Sequence, residues 1–167
     1  MSSCFGRYFR LSLFGQSHGP GVGVTLDGFP AGMEIDMEDV ARQMARRAPG
    51  QSALTTPRKE SDLPEILSGV FRGKTTGQPL TCLIRNENTR SQDYGEQVDL
   101  PRPGHGDYTG HVRYYGFEDF RGGGHFSARL TAPLVFAGAL CRQYLAGQGI
   151  SAVCHIQQLE NILDKSF

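Results

Sequence analysis

Six arginines and a lysine (Arg46, Arg47, Arg58, Lys59, Arg102, Arg121 and Arg129) flank segments punctuated by glycine or proline, with serine, threonine or histidine nearby. Guanidinium forks and loop amides together make good holders of phosphate and carboxylate groups. One such residue alone reads as a solvated charged face. Four separate basic loop segments point to a bound anion instead. Two histidines share these segments: His18 within Ser-His-Gly, and His105 within Pro-Gly-His-Gly-Asp. Imidazole ionises near neutrality, which suits proton transfer beside an anion. The residues therefore describe an enzyme that acts on a small polyanion and uses acid–base histidines.

Two other chemistries are excluded by spacing. The Gly-Lys-Thr at 73–75 lacks the first glycine of a phosphate-binding P-loop, because Ser68 stands in its place. The Thr-Thr-Gly-Gln-Pro stretch is a turn and not a helix start, so no amide cradle forms there. His105 and His111 lack an acidic or cysteine partner at ligand spacing, and His18 and His155 are isolated, so no metal is expected.

These residues need loops held by a scaffold, and the glycine count shows where the loops are. Twenty-two of 167 residues are glycine, about twice the usual ~7%. They cluster at 15–23, 104–106 and 122–124, beside the polar residues above. Glycine admits positive φ and close backbone approach, which marks binding loops and not linkers. Hydrophobic residues make up 38% of the chain, enough for the core of one domain spanning 1–167. Basic and acidic residues cancel at 17 each, so no global field argues for nucleic acid or membrane binding. The N-terminus shows no signal-peptide h-region, and the most apolar stretch, 132–140, is too short for a bilayer. Four dispersed cysteines without a CxxC pair fit reduced thiols, so a cytoplasmic location is expected.

Alternation of Phe9, Leu11 and Leu13 predicts a strand ending at Gly15, and Val22, Val24 and Leu26 predict a second. Asp36 suits the N-cap of a helix over 37–47, with Val40, Met44 and Ala48 on one side and basic residues in the last turn. Strands are expected over 66–70 and 80–84, around a turn at 73–77. Residues 86–124 read as one long functional loop. A helix over 134–145 follows, with Pro133 in its first turn and Gly147 closing it. It is apolar nearly all round, as expected of a helix covered on more than one side. A strand is predicted over 150–156. The class is α/β.

The order of these blocks resembles chorismate synthase. FGQSHGPGVGVTLDGFPAG, ARRAPGQS, TTPRKESD, ILSGVFRGKTTGQPL, RSQDY, RPGHGDYT and RGGGHFSARLTA follow that family's order from about Phe9 to Gly149. The resemblance implies a layered β-α-β sandwich with helices packed between antiparallel sheets, assembled as a homotetramer. It implies 1,4-anti elimination of phosphate from 5-enolpyruvylshikimate 3-phosphate to give chorismate in the shikimate pathway. Reduced FMN is required although no net redox change occurs, and NADPH is a candidate reductant for the flavin. By the same resemblance His18 protonates the departing phosphate and His105 protonates the reduced flavin. His125, Phe126, Ser127 and Arg47 become flavin or nucleotide contacts, and Ser17, Arg47, Arg102 and Arg129 become substrate ligands.

Several positions depart from the family pattern. Gln16 and Ala53 replace a common glutamate and a second ligand-binding arginine. His125 and Phe126 replace Arg-Ser, and Leu130 replaces a common glutamate, which reads as a coupled loss of two charges. One extra residue lies between His105 and Gly122. Family members are also much longer, so the sandwich is expected to be incomplete here. The alternative reading is a non-catalytic fragment that only assembles or binds anions.

Overall fold

The computed structural model describes residues 3–50, 61–87 and 100–165. Arg58, Lys59, Ala53 and the RSQDY block lie outside the described residues. The scaffold is a five-stranded antiparallel sheet: β1 (Cys4–Phe5), β2 (Arg10–Gly15), β3 (Gly21–Asp27), β7 (Leu80–Arg85) and β4 (Pro64–Ser68), in that spatial order. Two small strands, β5 (Val70–Phe71) and β6 (Lys74–Thr75), pair as a separate hairpin between β4 and β7. The Gly-Lys-Thr segment is thus a strand turn, and no helix begins after it.

Register explains the core. Val22, Val24 and Leu26 pair with Ile84, Cys82 and Leu80, so six fully buried side chains project from the same face. Helices α1 (Met37–Arg47) and α3 (Thr131–Ala146) cover that face. Val40 and Met44 from α1 and Phe136, Ala137 and Leu140 from α3 fill the space between them. Each large apolar side chain buried here contributes about 1.5–3 kcal/mol. The arrangement is one antiparallel β layer and one α layer, in keeping with the expected α/β class.

Local signals fix the helix ends. Asp36 Oδ1 accepts a hydrogen bond from the Asp39 amide at 2.9 Å, which satisfies a free donor of the first turn. Gln143 of α3 accepts from the Asp36 amide at 3.0 Å and donates to the Asp36 carbonyl at 2.9 Å, tying the two helices together. Among the described residues, no helix is long and apolar enough to cross a membrane.

Three expectations need correction. The stretch 86–124 contains a helix, α2 (Asp107–Tyr114). Only Gly110 of α2 is buried, so it lacks the apolar stripe by which sequence periodicity finds helices. Residues 150–156 form no strand. Ile150, Val153 and Ile156 are exposed and, among the described residues, pair with no strand; a short hairpin, β8 (Gln158–Leu159) with β9 (Ile162–Leu163), follows them. Helix α3 is covered along one broad side, while Leu134, Gly138 and Arg142 form an exposed strip.

Candidate active site

The two histidines arrive from different directions. His18 sits in the turn between β2 and β3, where Ser17 and His18 are both buried. The Ser17 amide donates to the Gly124 carbonyl at 3.0 Å. His105 sits just before α2 and is half-buried. Between them runs the Gly122–Gly123–Gly124 segment, all three residues at positive φ.

This segment has to be glycine. A Cβ on Gly122 would lie 2.2 Å from His18 Cε1, and one on Gly123 would lie 2.6 Å from His105 Cε1 and 2.8 Å from its Nε2. A Cβ on Gly124 would collide with the Asp119 carbonyl. Side chains here would displace both imidazoles and also strain a left-handed backbone. The glycine run is therefore the surface on which both rings rest.

His105 is oriented by its neighbours. Its Nδ1 lies 2.6 Å from Asp107 Oδ1. Arg102 grips the same carboxylate with Nε at 2.7 Å and a terminal nitrogen at 2.8 Å, and its amide adds a third bond at 3.0 Å. The carboxylate can only accept and is closer to Nδ1 than the Arg102 terminal nitrogen at 3.2 Å, so Nδ1 is assigned the proton and donates to Asp107, which leaves Nε2 over Gly123. The Arg102 guanidinium holds the Asp107 carboxyl well below the usual carboxylate range. Asp119 is lowered in the same way by the Arg121 guanidinium, at 2.7 and 2.8 Å.

A cavity of about 300 Å³ opens beside this cluster, lined among others by Arg102, Asp107, Tyr108, Phe120, Gly123 and Phe126. Its mix of aromatic walls and a few convergent polar groups is what small-molecule sites share. A second hollow is walled by Ser3, Gln16, His125 and Phe126. His125 Nδ1 donates to the Gly15 carbonyl at 2.8 Å, and its Nε2 accepts from Ser3 Oγ at 2.6 Å. Phe126 packs over Gly106 and Gly110, where a Cβ would come within 3.0 and 2.5 Å of its ring. Ser127 caps the short turn Ala128–Leu130 by accepting from the Arg129 amide at 3.2 Å.

The arginines divide. Arg102 and Arg121 stand by the histidines. Arg47 and Arg129 meet elsewhere, on the two oxygens of buried Asp62: Arg47 at 2.5 Å, and Arg129 in a short contact on the other oxygen. Arg129 Nε also donates to Asn86 Oδ1 at 2.9 Å. Arg46 lies exposed on α1, bonded to Gln43 at 3.0 Å. Sequence reasoning missed Asp62, Asn86 and Asp119. Asp107 was visible two residues after His105, as a carboxylate within reach of the ring, and its orienting role was overlooked.

The chorismate synthase family model matches residues 9–166. The chain is 51% identical over 160 residues to a chorismate synthase of Chitinophaga pinensis, covering 96% of this chain and 48% of that protein. It is 50% identical over 168 residues to the one of Phocaeicola vulgatus, covering 100% and 47%. A crystal structure of chorismate synthase superposes with a TM-score of 0.60 at 31% identity, over 87% of this chain and 36% of that one. The chain spans about half the length of the curated relatives it matches. With this likeness running through both histidine loops and the glycine run, the chain belongs to the chorismate synthase family.

Proposed function

We propose that the protein carrying this chain eliminates phosphate from 5-enolpyruvylshikimate 3-phosphate in the 1,4-anti sense, giving chorismate, with reduced FMN as cofactor. The observation that carries this reading is the meeting of His18 and His105 across Gly122 and Gly123, beside Arg102 and Arg121. Phosphate loss builds negative charge on the departing oxygen. A buried imidazole acid and fixed guanidinium groups stabilise such charge without reorganising as it forms.

The residues present fit a flavin edge. The cavity beside Gly123 has flat aromatic walls in Tyr108, Phe120 and Phe126, and Arg102 supplies a cation at its rim. Any side chain at Gly123 would push His105 Nε2 away from that wall. Phe126, with His125 and Ser127 beside it, would hold the ring system. When bound, the reduced flavin supplies electron density to the substrate as the phosphate leaves.

The chain's own groups do the rest. His18 donates a proton to the leaving phosphate. His105 keeps its proton on Nδ1, donated to the Asp107 carboxylate, and exchanges protons at Nε2. Arg102 serves both Asp107 and the anion site, with buried Ser17 beside His18, while Arg47 and Arg129 are engaged by the buried Asp62 carboxylate. Incubation with reduced FMN and the phosphorylated substrate under anaerobic conditions should give chorismate absorbance. No chorismate, with the flavin left unbound, would sink the reading.

A further inference from the structure

His18 rests on the glycine run on one side, and its turn is also held by the side chain of Asn86. The Asn86 amide nitrogen donates to the Gln16 carbonyl at 2.9 Å and to the Gly19 carbonyl at 2.8 Å. The Asn86 backbone amide donates to the Pro20 carbonyl at 3.2 Å. These bonds bracket Ser17 and His18. The amide orientation follows from chemistry: two carbonyls can only accept, and the guanidinium on Oδ1 can only donate.

Asn86 is itself braced. Arg129 donates to its Oδ1 at 2.9 Å, to the Arg85 carbonyl at 3.0 Å, and to Asp62. Asp62 is 2% exposed and holds φ at 48°, a left-handed geometry uncommon outside glycine. Its second oxygen takes Arg47 from the end of α1. The chain of contacts runs from α1 through Asp62 and Arg129 to Asn86, and ends on the turn that carries His18.

We propose that Asn86, braced by Arg129 and Asp62, is the positioning residue for His18. The inference rests on the functional reading above, because it assigns His18 the proton-donating role. Asn86 touches no reacting atom; it sets where the imidazole stands. A misplacement of about 1 Å at a proton donor costs on the order of 100-fold in rate.

The test uses Asn86→Asp, which keeps an acceptor for Arg129 and removes both donations to the turn, with Asn86→Ala beside it. In the steady state kcat should fall about 10- to 100-fold while KM moves less than about threefold. Asp62→Asn should show the same split at smaller size. A readout independent of turnover is carbethoxylation by diethyl pyrocarbonate, followed residue by residue by mass spectrometry. His18 should react several-fold faster in both Asn86 variants, with His105 and His111 unchanged. Equal rates at His18 in variant and parent would overturn the proposal, as would a uniform rise at all three histidines. Absence of turnover in the parent protein would instead sink the functional reading, and the modification rates would then decide the role of Asn86 alone.

Discussion

Beyond the glycine run that both rings share, the support for the His18 turn comes from far along the chain, from Asn86, whereas around His105 it comes from Arg102 and Asp107, within six residues. The first ring is buried and depends on tertiary packing. The second is half-exposed and carries its own orienting carboxylate. One site thus combines two kinds of rigidity. The difference teaches that a local motif can preorganise a histidine with little help from the fold, but a buried histidine needs the fold complete.

The sharpest way to break this contrast is to remove each ring. His18→Ala and His105→Ala should each lower turnover about 10²- to 10⁴-fold, with substrate affinity largely spared. Single-turnover measurement of chorismate formation checks this. A variant with unchanged turnover removes its histidine from the mechanism.

Glycine substitutions should give the next largest effect, and they test the two supports unequally. Gly122→Ala places a methyl group against His18 at a left-handed backbone position, and should destabilise by about 2–4 kcal/mol. Gly104→Ala, beside His105, is also left-handed but meets nothing within 4 Å, so it should cost only about 1–2 kcal/mol. Urea unfolding of both variants decides the matter. Equal losses would show that the glycine run is not the tighter support.

The mildest test concerns acid. The Arg102 clamp lowers the Asp107 pKa in the folded state, so the bond's stability is present above the ordinary carboxylate pKa and lost as pH falls toward the folded value. Asp107→Asn should therefore melt lower than the parent at pH 7. The gap should shrink as pH drops below about 4, where unfolded carboxylates begin to bind protons. Melting curves across that window check the sign; a gap that widens in acid contradicts it.

The same contrast governs what could be read from the residues alone. The strands around Leu11, Val24 and Cys82 and the cap at Asp36 were legible, because alternation and capping are local. His18 and His105 stood out through their glycine-flanked loops. Asp62 and Asn86 were not legible, since their partners lie across loops and sheet edges that no spacing rule connects. Helix α2 hid for a related reason: it buries only Gly110, and its polar sequence carries no apolar period. Residues 150–156 misled in the opposite direction, since alternation without a neighbouring strand does not make a sheet. Arg47 and Arg129 show a subtler gap. Their charge pointed to an anion, but the structure gives each of them the buried Asp62 carboxylate as well.

The glycine run has one more consequence. The two imidazoles lie against successive glycines of one strip, His18 against Gly122 and His105 against Gly123. A displacement of this strip moves the seats of both rings together.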